Sequence, residues 1–173
     1  MASITLITGG ARSGKSRFAL EKALGYAGTR AFIATAVAID GEMRERIEKH
    51  REERAGFFKT IEEPYDLASA LRHLPEGTRV ACIDCLTVWL GNLMHRYADD
   101  RQQLDIAINS FLDALHRTPC DLLVVTNETG WGIVPENALA REFRDIAGGI
   151  NRRVASIAEH VYLCVCGIPV VVK

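Results

Sequence analysis

Eight residues, GGARSGKS (9–16), carry the strongest chemical signal in the chain. They satisfy G-x-x-x-x-G-K-[ST] and lie between an apolar run and a helical pattern, where phosphate-binding loops occur. Successive backbone N–H groups in such a loop form an anion cradle. Gly9, Gly10 and Gly14 permit unusual dihedrals and a close approach of backbone to phosphate. Ala11, Arg12 and Ser13 complete the turn. Lys15 is placed to reach the β and γ phosphates of a nucleoside triphosphate, and Ser16 to offer its hydroxyl to Mg²⁺.

Such a loop needs an acid to hold the metal or its waters. RVACID ends an apolar run at Asp84, which suits that carboxylate or a cap on the following helix. LLVVTNE offers Asn127 and Glu128 at another strand tip. In an open α/β sheet ligands collect at the carboxyl ends of strands, so all three face the expected cleft.

His50 is the other unusual residue. In RIEKHREER (46–54) it has Arg46 one helical turn before it and Arg54 one turn after. Two neighbouring cations disfavour imidazolium and leave a neutral ring nitrogen at pH 7, which is a competent nucleophile. The arginines can also bind phosphate oxygens and stabilise charge on phosphorus under attack. The competing reading is a surface histidine in a helix laced by Glu42–Arg46 and Glu45–Lys49 pairs. His73, His95, His116 and His160 show no metal-ligand spacing.

The elements that must position these groups alternate. SITLIT (3–8) reads as a strand and KSRFALEKALGYA (15–27) as a helix with a stripe of Ala19, Leu20, Ala23, Leu24 and Ala27. TRAFIATA (29–36) is a strand, 41–54 a charged helix, FFKTIE (57–62) a strand, and PYDLASALRHL (64–74) a helix with Pro64 in its first turn. Strands follow at 78–84 and 120–127, separated by helical patterns over 86–98 and 103–117. A loop (128–135) leads to a long helix from Glu136 to His160. Its stripe is Leu139, Phe143, Ile146, Ala147, Ile150, Val154 and Ile157, and Gly148-Gly149 marks a potential kink. VYLCVCG (161–167) and IPVVVK (168–173) are the last strands. This alternation predicts an α/β fold with a mostly parallel sheet flanked by helices, in a single domain over residues 1–173.

Composition narrows the class. Residues are 48% apolar and 25% charged, as in ordinary globular proteins, and a net charge of −1 supplies no overall basic field to recruit nucleic acid. The beginning of the sequence has no signal-peptide pattern and no apolar run approaches membrane-spanning length, so a cytoplasmic location is expected. Five cysteines point to reduced thiols. They read as buried small hydrophobes, with Cys164 and Cys166 on one sheet face.

The ordered set LITGGARSGKSRFA, IATA, DGEMRERIEKHREER, TIEEP, IDCLTVWLGNL, NETGWGIVPENALAREFRDIAGGINRRVA and GIPVVVK resembles the bifunctional adenosylcobinamide kinase / adenosylcobinamide-phosphate guanylyltransferase family of cobalamin biosynthesis. The resemblance runs nearly end to end. It implies a RecA-like P-loop domain, commonly a homo-oligomer and specifically a trimer. It also implies two reactions. A nucleoside triphosphate, ATP or GTP, phosphorylates the aminopropanol hydroxyl of adenosylcobinamide. GMP then passes from GTP to that phosphate through a GMP-histidine intermediate, releasing pyrophosphate. The matching histidine is His50. The implied GTP contacts are Gly9 through Ser16, then Ala34, Thr35 and Ala36, then Arg51, Glu52, Glu53 and Arg54, with Glu62 and Asp84.

Read as residues, Thr35 can place a hydroxyl near the nucleotide and Glu62 can accept from a ribose or a guanine edge, although either can equally be a cap. Phe57-Phe58 stands where the resemblance leads one to expect a tryptophan, and Thr129 where it leads to valine. Trp131 and its loop are either corrinoid contacts or a packed loop. A kinase that uses the P-loop without a covalent histidine is the alternative. A GTPase switch is disfavoured, because DCLT replaces D-x-x-G and NETG lacks the Lys and Asp of a guanine reader. A binding module without chemistry leaves the strand-tip acids idle.

Overall fold

The computed structural model describes residues 2–38, 41–54 and 56–173, with the side chains at 42–44, 46, 49, 50 and 53 outside the described residues. The elements run in the order β1 (Ile4–Gly9), α1 (Lys15–Leu24), β2 (Thr29–Ala34), α2 (Gly41–Arg54), β3 (Lys59–Glu62), α3 (Leu67–Arg72) and β4 (Thr78–Asp84). Then come α4 (Leu86–Arg96), α5 (Arg101–Leu115), β5 (Asp121–Val125), α6 (Ala138–Ile157), β6 (His160–Val165) and β7 (Ile168–Val171). One sheet joins the strands in the order β3-β2-β4-β5-β1-β6-β7. Only β7 is antiparallel, forming a hairpin with β6.

The central strands are apolar on both faces because both are covered. Ile7, Phe32, Val80, Cys82, Leu123 and Val125 pack with Ala19 and Ala23 of α1. On the opposite face Ile33, Ile83 and Val124 meet α3 to α6, with Trp89, Phe111, Ile150 and Val154 buried among them. Side-chain caps start three helices: Asp66, Asp100 and Asn137 each accept from the backbone N–H three residues on.

Several expected boundaries shift for identifiable reasons. Pro64 lies outside α3, whose cap is Asp66. The first helix ends at Leu24, and Leu24 and Ala27 are exposed. The strand expected at 57–62 is formed only over Lys59–Glu62; Phe58 turns inward, edge-on to Phe32, while Phe57 is exposed. The long helix begins at Ala138, behind the Asn137 cap, so Leu139 is exposed and does not join the stripe. Gly148 and Gly149 lie within an unbroken helix. Four cysteines are buried, but Cys166 is exposed in the β6–β7 turn at φ 50°, off the strand that carries Cys164.

One contact titrates. The Tyr26 hydroxyl donates to Asp121 Oδ2 at 2.9 Å, and burial, followed by that carboxylate, pushes the phenol up to about 12. The folded value exceeds the unfolded value of about 10, so its stabilisation is full below pH ~10 and lost as pH rises towards ~12. Tyr26→Phe is expected to lower stability by about 1 kcal/mol at neutral pH. In urea melts, the gap from wild type should close across that alkaline window. A gap that stays constant would show the hydroxyl contributes nothing through its protonation.

Candidate active site

The P-loop leaves β1 at Gly9 and enters α1 at Lys15. Two of its glycines are sterically required. Gly9 has φ 152°, and a Cβ there would lie 2.5 Å from the Cys164 carbonyl oxygen and 2.7 Å from Ser13 Oγ. Gly14 has φ 90°, and a Cβ would lie 3.0 Å from the Gly167 Cα. The Gly167 N–H donates to the Ser13 carbonyl at 3.1 Å. The β6–β7 turn is therefore part of the loop's support. Gly10, Ala11 and Arg12 form its exposed outer rim, with Arg12 at φ 53°.

Lys15 is only 7% exposed. Its ammonium donates to the Gly10 carbonyl at 2.6 Å and to Ser13 Oγ at 3.4 Å, curling back over the loop. Burial lowers its pKa, opposed by the nearby Cys85, Asp84 and Cys164 groups. Asp84 thus lies within electrostatic reach of Lys15. Ser16, half-buried, opens the first turn of α1.

Asp84 ends β4, and the following bond to Cys85 is cis. Cys85 occupies the cap position of α4, without a side-chain cap bond. The carboxylate at 84 is therefore not the helix cap that its position also allowed. Thr35, fully buried, clamps this corner. Its hydroxyl donates to the Cys85 carbonyl at 3.0 Å and accepts from the Cys85 N–H at 2.8 Å. That hydroxyl is committed to bracing the Asp84–Cys85 turn, in place of the expected reach towards a nucleotide. Asn92 of α4 holds the Thr35 carbonyl at 2.7 Å, while Ala34 and Ala36 are half-buried on either side.

The second cluster comes from α2 and β3. Arg51 pairs with Glu62 at 3.8 Å, joining the end of α2 to the tip of β3. Arg51, Glu52 and Glu62 are exposed. Arg54 is buried, its guanidinium carbon 3.7 Å from the centroid of the Phe32 ring. Among the described side chains of α2 it is the one that reaches the core. The backbone of residue 50 lies in α2, one turn before Arg54. The side chains of His50 and Glu53 lie outside the described residues.

A third cluster joins Glu128, one of the strand-tip candidates, to partners that the sequence did not point to. Glu128 follows β5, and its N–H donates to the Gly9 carbonyl at 3.1 Å. Its Oε1 accepts from Thr8 Oγ1 at 2.6 Å and from Asn151 Nδ2 at 3.4 Å. Asn151, buried on α6, also donates to the Asn127 carbonyl at 3.1 Å and accepts from Thr126 Oγ1 at 2.8 Å. Thr87 accepts from the Asn127 N–H at 2.9 Å. A buried amide inside the apolar stripe of α6 was the available signal for this network. Beyond Glu128 the loop exposes Trp131 (71%), Ile133 (96%) and Val134 (57%), so it is not a packed loop.

Together the sheet order, the P-loop and an acid two strands away define a RecA-like P-loop nucleotide-binding protein. The structural neighbours agree on fold alone. The RadB recombinase matches with TM-score 0.52 at 15% identity, covering 93% of this chain and 73% of that one. The flagellar accessory protein FlaH of Methanocaldococcus jannaschii matches with TM-score 0.54 at 12% identity, covering 93% and 70%. Sequence relatives are much nearer. The chain is 44% identical to the bifunctional adenosylcobalamin biosynthesis protein CobP of Pseudomonas aeruginosa, over 97% of this chain and 96% of the relative. It is 40% identical to the Escherichia coli protein CobU, described in the same words, over 97% and 98%. Residues 5–172 match the family described as cobinamide kinase / cobinamide phosphate guanyltransferase, and the chain belongs to that family.

Proposed function

We propose that this protein phosphorylates the aminopropanol hydroxyl of adenosylcobinamide, with ATP or GTP as donor. It then transfers GMP from GTP to the new phosphate, giving adenosylcobinamide-GDP and pyrophosphate. The observation that carries the reading is one phosphate cradle, with Lys15 buried in it, within a chain that matches the family over nearly its whole length.

In the phosphoryl step, the loop amides and Lys15 bind the triphosphate and stabilise charge on the departing diphosphate. Guanylyl transfer uses two displacements. A neutral His50 nitrogen bonds to the α-phosphorus as the α–β bridging bond breaks and pyrophosphate leaves with the electron pair. An oxygen of the corrinoid phosphate then bonds to that phosphorus, the P–N bond breaks, and the imidazole is regenerated. Gly9 to Ser16, Ala34 to Ala36, Arg51 to Arg54, Glu62 and Asp84 form the nucleotide site in this reading. Thr35 acts there through the Asp84–Cys85 turn. The exposed loop around Trp131 offers apolar surface to the corrinoid.

No group of three or more His, Cys, Asp or Glu residues able to hold a metal occurs among the described residues. A hydroxyl and one carboxylate beside a polyphosphate instead suit Mg²⁺, which keeps water and phosphate oxygens as its other ligands. Ser16 and Asp84 would hold it. When bound, it neutralises phosphate charge.

No helix among the described residues is long and apolar enough to cross a membrane. A cytoplasmic location is part of this reading. In this reading residues 1–173 are one P-loop domain, assembled as a trimer. The apolar edge strand β7 supports assembly, with Ile168 65% and Val171 68% exposed, because such edges favour pairing or cover.

The test is a staged assay. Adenosylcobinamide with ATP and Mg²⁺ should give the phosphate, and later GTP should convert it to the GDP derivative with one pyrophosphate per product. Arrest at the phosphate would establish the kinase-only alternative. No product at either stage would reject the assignment.

A further inference from the structure

The carboxylate of Glu128 has no part in the nucleotide site described above, yet three elements fix it beside that site. Its backbone is bonded to Gly9, the first residue of the P-loop. β5, which it follows, lies between β1, which carries the loop, and β4, which ends at Asp84. Thr8 and Asn151 both donate to one oxygen, Oε1. Among the described residues, Oε2 receives no hydrogen bond. Both donors are buried, Thr8 at 7% and Asn151 at 8% exposure, and Asn151 is itself locked by Thr126. A carboxylate held by one oxygen, with the other left available, is the arrangement required of a positioned base. The exposed apolar loop of Trp131, Ile133 and Val134, offered in the proposed function to the alcohol-bearing substrate, follows Glu128 in the chain.

From this placement beside the phosphate cradle, at the start of the exposed loop, we infer that Glu128 is the proton acceptor for the alcohol in the phosphoryl-transfer step, with Thr8 and Asn151 as its positioning residues. The inference rests on the kinase half of the proposed function. As the alcohol oxygen bonds to the γ-phosphorus, its proton passes to Oε2 of Glu128. The bond from the γ-phosphorus to the bridging oxygen breaks, and the diphosphate departs with that electron pair. Guanylyl transfer has no alcohol to deprotonate: its nucleophiles are an imidazole nitrogen and a phosphate oxygen. Glu128 therefore serves one reaction of the two.

Glu128→Gln isolates this role. Its amide oxygen can still accept from Thr8 and Asn151, but its nitrogen cannot take a proton. Phosphorylation of adenosylcobinamide is expected to fall about 100-fold or more. Covalent labelling by α-labelled GTP, and GMP transfer to preformed adenosylcobinamide phosphate, should stay within about threefold of wild type. Parallel loss of all three would overturn the inference, making the residue a structural pin of the loop; so would undiminished phosphorylation. Wild-type protein runs first. If it yields no phosphorylated corrinoid, the functional reading itself fails and the inference falls with it. A defect confined to the variant tests Glu128 alone.

Discussion

His50→Ala protein incubated with Mg²⁺ and GTP labelled at the α-phosphate is expected to carry no covalent label after denaturation. Wild-type protein should retain a label that survives base and is lost in acid, the behaviour of phosphorus bound to nitrogen. The expectation follows from charge. In the sequence Arg46 and Arg54 stand one helical turn on either side of residue 50, a spacing expected to disfavour imidazolium and leave a nitrogen lone pair available at neutral pH. GMP transfer should fall to background, because without the intermediate the two displacements have no shared atom. Phosphorylation of adenosylcobinamide should change by no more than about threefold, since that step draws on the P-loop and leaves the imidazole unused. Label retained by the variant would move the nucleophile elsewhere. Loss of both activities together would indicate that residue 50 supports the shape of the site.

Lys15→Met should remove both activities, by about 1000-fold or more, because in the proposed function the ammonium is the fixed cation at the phosphates in either reaction. The variant should nevertheless fold as well as the wild type. Lys15 is 7% exposed, and burial lowers its pKa, so the folded chain carries a cost for keeping this group charged. Methionine has a similar length without that cost, and it loses the hydrogen bonds to the Gly10 carbonyl and, at 3.4 Å, to Ser13 Oγ. Urea midpoints should therefore place the two proteins within about 1 kcal/mol. A dead protein of unchanged stability locates the lysine's purpose in phosphate chemistry. A variant that is both dead and strongly destabilised would show that the ammonium holds the loop together.

The architecture was legible because pattern and packing agree. Nearly continuous apolar strands between helical periods announce a sheet covered on both sides, and the central strands are buried on both faces. GGARSGKS was legible because its pattern lies in eight consecutive residues, and two of its glycines, Gly9 and Gly14, answer to close contacts in the fold. Element ends were less so. Asn137 and Asp66 win the caps through single side-chain bonds that periodicity does not register, which moved Leu139 and Pro64 out of their expected places. Thr35 shows the limit most clearly. Its hydroxyl was read against a nucleotide, but its partner is a peptide 50 residues away, brought alongside by the pairing of β2 with β4. Glu128 was legible as a strand-tip candidate, but the Thr8–Glu128–Asn151 cluster was not, for the same reason. Its members come from β1, the end of β5 and α6, and only the folded register makes them neighbours.

The contact between the β6–β7 turn and the P-loop gives the far end of this sequence a say in ligand affinity. Gly167 shares a peptide hydrogen bond with Ser13, and its Cα is where a side chain on Gly14 would have to go. Whatever presses on the hairpin, whether a neighbouring subunit, a fused tag or an oxidised Cys166, is therefore felt by the amides proposed to grip the triphosphate. Linkage makes the traffic run both ways: a nucleotide that stiffens the loop must strengthen, by the same factor, any association that prefers the hairpin in that posture.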